Sequence, residues 1–383
     1  MSSTQAEAHY QQAVLWRQKG DAQAALDEIT KAIAIENQAE YYFERAWAQV
    51  VLADVEEAEK SLEMIAAISN HRPCPRVQET NVASLWRELA LLKGRIKSQA
   101  TLFKQALEDQ DPEAILTALT PGEDHGLSNL LRASLRLHGS SAYGAMGQSK
   151  FGGQPDLPSD FDWPEGHDGV PLAFLCQLNL AALNIPKPSP LPASGLLYFF
   201  YEAKEQPWGF EPEDKGQWKV IYIAKQVGLW GKDIPEDLPE GCLFAPIFLK
   251  SQVEVTLPDG SDEGICALGL SQPVKEIYTD ALENWYGKEP WHRLLGNPQP
   301  IQAAMQIECE MVANGIDPAS GYNHPNIASI ASGAQQWRLL LQLDSDAETG
   351  MTWGDGGRLY FWIRQQDLKI RNFDDVWLIL QCY

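Results

Sequence analysis

The second half of the chain contains the same series of strand-like segments twice. Three short runs rich in Val, Ile, Leu, Tyr, Phe and Trp occur in the same order in each copy, and a Gly-Pro corner precedes each copy. β-branched and aromatic residues favour strands, so the repetition predicts a mostly β domain made of two related halves. The runs are 174–178, 195–201 and 218–223 in the first copy, and 339–343, 357–363 and 376–381 in the second.

A second repeat, with a different period, lies in the first 70 residues. Small, apolar and acidic residues recur 33 positions apart, close to the period of stacked helix pairs. Asp21 and Asp54 stand where the second helix of each pair should begin, because an aspartate side chain caps the free amides of a first turn. The matched pairs are Ala6 and Ala39, Ala13 and Ala46, Asp21 and Asp54, Ala25 and Ala58, and Ile29 and Leu62.

Together the two repeats predict an α+β multidomain chain. We expect an α-helical repeat domain over residues 1–125 and a mostly β domain with two related halves over residues 140–383. Further helices are expected at 127–137, 272–285 and 300–312, because apolar residues recur there at helical spacing.

Charge and cysteine usage exclude several classes of function. The 383 residues include 30 basic and 52 acidic side chains, a net charge of −22, whereas nucleic-acid binding requires clustered Lys and Arg. The 6 cysteines form no Cys-x-x-Cys pair, so neither a zinc site nor a disulfide framework is expected. The sequence shows no signal peptide and no long apolar run, which predicts a cytoplasmic protein that does not bind membranes.

The first repeat resembles the tetratricopeptide repeat. Gly-Asp-Ala-Gln-Ala-Ala at 20–25 and Lys-Ala-Ile-Ala-Ile-Glu at 31–36 carry the resemblance, which covers residues 6–70, and a degenerate third unit is expected at 85–107. The second copy departs from the pattern, with Ala53 in place of the turn glycine. The resemblance implies that the repeats recruit a protein partner through a concave groove. The alternative is that they only pack against the second domain.

The β-rich half resembles the YwqG-like family, a bacterial domain of unknown function. The resemblance rests on several ordered motifs across residues 140–383, such as Lys-Phe-Gly-Gly-Gln-Pro-Asp-Leu-Pro at 150–158 and Trp-Gly-Asp-Gly-Gly-Arg-Leu-Tyr-Phe at 353–361. It implies a mostly β fold built from two related halves and brings no established catalytic residue. Some relatives occur near secreted-toxin loci, which implies an immunity-like role as one alternative.

An acidic loop, residues 344–357, contains the candidate site residues. Asp344, Asp346, Glu348 and Asp355 fall at positions 1, 3, 5 and 12 of a calcium-loop spacing, although Thr349 occupies the position where that loop needs glycine. A second interpretation places an aromatic ring and a carboxylate at the rim of a ligand cleft. Its candidate ligand-binding residues are Trp353, Asp355 and Arg358. The alternative is a purely structural role, in which these acids and glycines only form turns.

These observations favour a non-enzymatic adaptor, in which the helical repeats recruit one protein partner and the β domain recognises a second partner or a ligand. No cofactor is expected, other than calcium if the acidic loop binds it. No serine, cysteine or histidine motif predicts a catalytic residue. The alternatives are an immunity-like protein that neutralises a toxin and a metal-assisted hydrolase that uses the acidic loop. Gln177 and Gln342 occupy equivalent places in the two copies, and we expect each to fasten a neighbouring loop or strand edge by hydrogen bonds. The oligomeric state is left open.

Overall fold

The computed structural model describes residues 2–71, 76–123, 126–140, 144–287, 290–318, 325 and 327–383. The chain divides into two compact units, each assembled from two segments. The helical unit comprises Met1–Leu127 and Gly264–Tyr286, and the β unit comprises Ser128–Glu263 and Gly287–Tyr383. The prediction of N-terminal helices followed by a large, mostly β domain is confirmed.

The helical unit begins with two helix pairs whose members pack in chain order. The residues that recur 33 positions apart lie in this packing, and Ala13, Ala46, Ile29 and Leu62 have no exposed surface. Close-packed interiors do not accommodate larger side chains without movement, so small residues at these positions allow the helices to approach. The helices of the chain are α1 (Ser3–Lys19), α2 (Ala22–Ile33), α3 (Ala39–Val51), α4 (Val55–His71), α5 (Glu79–Glu108), α6 (Pro112–Thr117), α7 (Glu263–Cys266), α8 (Gln272–Tyr286), α9 (Gln306–Ala313), α10 (Ile327–Ala334) and α11 (Gln365–Ile370).

Aspartates cap α2 and α4, as their positions in the sequence predict. The Asp21 carboxylate accepts a hydrogen bond from a first-turn amide at 2.9 Å, and the Asp54 carboxylate accepts one at 3.3 Å. The residue before each aspartate has a left-handed backbone conformation, with φ of 78° at Gly20 and 60° at Ala53. An L residue is strained in this conformation and glycine is not, so the second turn is the less favourable of the two.

The prediction of a third helix pair at 85–107 is wrong. One helix, α5, runs for 30 residues through this segment without an intervening turn. Strong helix formers such as Leu, Lys, Gln and Glu fill it, and no Gly-Asp turn interrupts them. Helix α8, predicted at 272–285, is confirmed and packs against α5, with the Phe103 and Tyr278 ring centroids 6.1 Å apart.

The β unit is built on one large sheet. Its strands and those of a smaller sheet are β1 (Arg132–Ser140), β2 (Lys150–Phe151), β3 (Asp156–Pro158), β4 (Ala173–Asn179), β5 (Leu196–Tyr201), β6 (Trp218–Ile223), β7 (Leu229–Gly231), β8 (Ile247–Thr256), β9 (His292–Leu295), β10 (Trp337–Asp344), β11 (Arg358–Arg364) and β12 (Trp377–Gln381). The 10-stranded sheet has the order β12-β11-β10-β9-β1-β8-β2-β4-β5-β6, and β3 pairs with β7 separately. All these pairs are antiparallel.

The six repeated segments form the two ends of the large sheet. β4, β5 and β6 make one meander and β10, β11 and β12 the other, within two residues of the predicted bounds. The end strands β6 and β12 contact each other. The Trp218 indole donates a hydrogen bond to the Val376 carbonyl at 2.8 Å, and its ring packs edge-on against Trp377. The sheet therefore curves until its two ends meet around the core. This enclosure explains why β5 is buried at every residue and lacks polar alternation.

The helix expected at 127–137 is wrong. A short 3-10 turn at Leu127–Leu130 leads into β1, which pairs over its whole length with β8, more than a hundred residues later. Leu135 and Leu137 are both buried in the core. Their two-residue spacing is the period of a strand, which the short apolar pattern of this segment did not distinguish from a helix. The helix expected at 300–312 forms only over its second half, as α9. Among the described residues, no helix is both long and apolar enough to cross a membrane.

Candidate functional site

The acidic loop is anchored by a buried ion pair. Asp344 ends β10 and Arg358 begins β11 directly opposite it, and Arg358 Nε lies 3.0 Å from Asp344 Oδ2. The Trp291 amide donates to the same carboxylate at 2.9 Å. Burial lowers the pKa of Arg358, but the neighbouring charges, Asp344 first, outweigh burial and raise it. The structure thus brings two candidate site residues together as partners of each other.

Asp346 lies beside a buried histidine. His292 Nε2 is 3.6 Å from Asp346 Oδ2, while His292 Nδ1 accepts a hydrogen bond from the Asp344 amide at 3.1 Å. With Nδ1 an acceptor, the proton of the neutral ring is on Nε2 and faces Asp346. The polar contact with His292 is the main cause that lowers the pKa of Asp346. Because both ring nitrogens face protein groups, His292 is placed to hold the loop rather than to exchange protons with a substrate.

The remaining acidic-loop candidates lie apart from this cluster. Glu348 and Asp355 are exposed, whereas Trp353 has no exposed surface. The Trp353 ring packs edge-on against Tyr201 and Phe244, at centroid distances of 5.8 and 5.7 Å. The structure therefore places Trp353 in the core and does not join it with Asp355 at a cleft rim. Within the described ranges, no group of three or more His, Cys, Asp or Glu side chains is arranged to hold a metal ion.

The paired glutamines fasten neighbouring loops and the start of strand β3 by hydrogen bonds, as expected. Gln177 Oε1 accepts a hydrogen bond from the Asp156 amide at 2.8 Å, and Gln342 Oε1 accepts one from the Gln299 amide at 2.9 Å. Each side-chain amide also donates to a backbone carbonyl at 2.8 Å. Both side chains are completely buried, so each satisfies polar backbone that would otherwise be stranded in the core.

An acidic cleft in the β unit is a site that the sequence did not predict. It has a volume of about 500 Å³ and is lined by residues from 166–170, 202–217 and Pro239. The lining contains one amine, that of Lys204, and a larger number of carboxylates. The acidic lining residues are Asp168, Glu202, Glu205 and Asp214. Because the lining comes from separate segments, no motif spacing could have revealed it, and only the acidic composition hinted at such a surface.

A second cleft, of about 460 Å³, also has Gly166 in its lining. Two lysines line it, but each is paired: Lys215 lies 3.1 Å from Asp375 and Lys219 lies 2.8 Å from Asp374. Paired lysines offer little net attraction to an anion, so this cleft has a weaker charge preference than the acidic one.

A mixed aromatic and apolar face is present on the first helices of the two helix pairs. We define the repeat face as Tyr10, Val14 and Arg17 on α1 and Phe43, Trp47 and Val51 on α3. These residues recur at helical spacing on each helix, and the Arg17 guanidinium lies over the Phe43 ring at 5.8 Å. Val51 is 53% exposed, and the other five side chains are half-buried. The face therefore presents apolar surface to solvent.

A buried carboxylate supports this face from below. Arg17 Nε lies 2.8 Å from the Glu44 carboxylate, which is almost completely buried. Burial raises the pKa of Glu44, and the Arg17 charge opposes that shift only in part. The ion pair therefore holds Arg17 in place on the repeat face.

Comparison with known proteins gives a match for the β unit. A family model described as Domain of unknown function (DUF1963) matches residues 149–382. No curated protein matches the chain.

Proposed function

Because the chain belongs to this family of unknown function, we propose from its own geometry that the protein is a non-enzymatic adaptor that recruits a partner through its helical unit. The observation that carries the proposal is the repeat face on α1 and α3. Proteins built from stacked helix pairs bind peptide segments on the faces that neighbouring repeats share. The buried residues at a 33-residue spacing support a tetratricopeptide-like assignment for these pairs.

The chemistry of the repeat face suggests the class of partner. Aromatic rings with two valines favour apolar side chains, and Tyr and Trp are typical anchors of protein interfaces. The single cation, Arg17, is already paired with Glu44, so it adds little net charge. We therefore expect a protein segment whose apolar side chains repeat along one side, rather than a strongly charged peptide.

Substitution of Val51 tests this function. Val51→Glu places a charge on the exposed end of the repeat face, while Ala67→Glu places the same charge on an exposed position of α4 and serves as the matched control. Full-length wild type and both variants are used as baits in native lysate, and bound proteins are identified by mass spectrometry. The wild type and the control should retain one partner that Val51→Glu loses by about tenfold, a free-energy change of about 1.4 kcal/mol. Equal recovery by all three would refute recruitment through this face.

An immunity-like role is a second candidate, favoured by the acidic cleft. Its carboxylates would complement a basic surface of a toxin enzyme and accelerate association. Co-expression with neighbouring toxin genes should restore growth, and Glu205→Gln should weaken the rescue while Glu348→Gln, at an exposed site outside the cleft, should not. Absence of rescue with every neighbouring gene would count against this role.

We also propose that the β unit is a cytoplasmic YwqG-like domain made of two related halves. The strand order is symmetric about the central β1–β8 pair, so that β2, β4, β5 and β6 mirror β9, β10, β11 and β12. Matching hydrogen bonds support this: the Tyr198 hydroxyl donates to the Asp156 carbonyl and the Tyr360 hydroxyl to the Gln299 carbonyl, both at 2.6 Å. Profile comparison of residues 144–223 with residues 290–381 across relatives tests the duplication. Scores no better than those of shuffled halves would reject it.

A further inference from the structure

The second cleft of the β unit differs from the acidic cleft in having aromatic walls. Phe161, Trp163 and Trp218 line it, whereas none of the described residues that line the acidic cleft is aromatic. We therefore call it the aromatic cleft. Its volume of about 460 Å³ lies within the range of small-molecule sites, roughly 300–1,000 Å³. Its lining comes from 161–167, 215–221 and 374–376, so it forms beside the junction of β6 and β12.

The indole rings of the aromatic cleft are held in place by the rest of the β unit. The Trp163 indole donates to the Leu172 carbonyl at 2.9 Å, and its ring packs edge-on against Phe200 at a centroid distance of 5.7 Å. The indole N–H of Trp218 is likewise bonded to a backbone carbonyl. Because both N–H groups already have acceptors, these rings offer apolar surface to a ligand. Side chains that are fixed before binding lose little conformational entropy when a ligand arrives.

Charged groups of both signs line the same cleft. Lys219 Nζ lies 2.8 Å from Asp374 Oδ1, and both side chains are exposed. A ligand anion would meet these and other carboxylates of the lining, and a ligand cation would meet the amines of Lys215 and Lys219. A hydroxyl group, by contrast, accepts a hydrogen bond from an ammonium and donates one to a carboxylate, so it can join an ion pair without breaking it. The polar lining therefore favours a neutral ligand that is rich in hydroxyl groups.

We propose that the aromatic cleft binds the pyranose ring of a saccharide. A pyranose has a face of C–H groups, which packs against a flat aromatic ring, and a rim of hydroxyl groups. Phe161 and Trp163, which are both half-buried, receive the C–H face, while Lys219 and Asp374 bind hydroxyl groups. All the lining residues belong to the β unit, so this binding function goes beyond recruitment through the repeat face.

Saturation-transfer difference NMR on the full-length protein tests the proposal. The neutral probes are the methyl glycosides of D-glucose, D-galactose, D-mannose and N-acetyl-D-glucosamine. At least one of them should receive saturation, most strongly at the ring C–H protons that contact the aromatic rings, and titration gives its dissociation constant. D-glucosamine, a cation, and D-glucuronate, an anion, are the charged probes. Both should bind more weakly than that neutral glycoside, because each meets like charges in the cleft.

Two variants assign the binding to the aromatic cleft. Lys219→Met keeps the apolar stem but removes the ammonium, and it should raise the dissociation constant about tenfold. Phe161→Leu keeps an apolar side chain but removes the flat ring, and it should raise the constant about fivefold. Lys204→Met, at an exposed lysine of the acidic cleft, is the matched control and should bind as the wild type does. The melting temperature of Lys219→Met should equal that of the wild type, since an exposed ion pair adds little to stability.

Three results would overturn the proposal. One is the absence of saturation transfer to all the neutral glycosides. Another is a dissociation constant that neither Lys219→Met nor Phe161→Leu changes, which would place the binding outside the aromatic cleft. The third is tighter binding of D-glucosamine or D-glucuronate than of every neutral glycoside, which would indicate a site for a charged ligand.

Discussion

Replacing Gln177 by leucine should destabilise the β unit by about 4 kcal/mol. The substitution leaves the buried Asp156 amide and Gln148 carbonyl without partners, at about 2 kcal/mol each. It also removes one hydrogen bond to the Asp156 carboxylate, about 1 kcal/mol, since the Lys150 amine and the Gly147 amide still donate to that group. The greater hydrophobicity of leucine returns about 1 kcal/mol.

The equivalent substitution, Gln342→Leu, should cost about 3 kcal/mol. It strands the Gln299 amide and the Trp291 carbonyl in the same way, but the loop residue it holds is a neutral glutamine rather than an aspartate. The difference of about 1 kcal/mol in unfolding free energy between the two variants therefore measures the charge-assisted hydrogen bond from Gln177 to the Asp156 carboxylate.

Guanidinium unfolding of the full chain, followed by tryptophan fluorescence, measures both values, because 9 of the 13 tryptophans lie in the β unit. Gln252→Leu on β8 is the matched control, since Gln252 is exposed and the change should stay within about 0.5 kcal/mol. If both buried variants unfold within about 1 kcal/mol of the wild type, the glutamines do not satisfy stranded backbone groups and the reasoning is refuted.

Smaller perturbations test the helix termini and the acidic loop. Gly20→Ala should cost the helical unit about 1 kcal/mol in thermal unfolding, because φ is 78° while no atom obstructs the added Cβ; an unchanged midpoint would contradict this. Glu44→Gln should stabilise the unit near pH 7, because burial raises the pKa of Glu44. The stability contributed by that group is complete below its unfolded pKa, about 4.3, and is lost as pH rises through the folded value, so the gain should vanish in unfolding curves below about pH 4. Calcium or chelator should shift the melting temperature by less than about 1 °C, since Asp344 is engaged by Arg358. A larger shift that Asp355→Asn abolishes would instead support a calcium loop.

Local patterns predicted the elements that carry their own signals. The capping aspartates and the buried alanines of the helix pairs follow from residue type and spacing, because a helix face and a helix start depend on residues within a few turns. The six meander strands were also predictable, since continuous Leu, Tyr, Phe and Trp runs favour buried strands. β1 was missed because its partner β8 is distant in the chain, and pairing rather than local preference decided its conformation.

The candidate site was less predictable than the fold. The sequence analysis named Asp344 for a calcium loop and Arg358 for a ligand cleft, and neither interpretation predicted that the two side chains pair with each other across β10 and β11. Trp353 and Asp355 are two residues apart, yet one is in the core and the other in solvent. The acidic cleft combines segments that are far apart in sequence, so its charge became visible only after folding.

The sequence by itself determined the repeats, the capped helix pairs and the strands of the two meanders. These depend on side-chain chemistry at short separations, where backbone geometry fixes which residues share a face. The tertiary structure alone decided that the two ends of the sheet meet, that Trp353 is buried, and that four carboxylates share one cleft. Each of these depends on contacts between distant segments, whose free energy is gained only when the whole unit closes around its core.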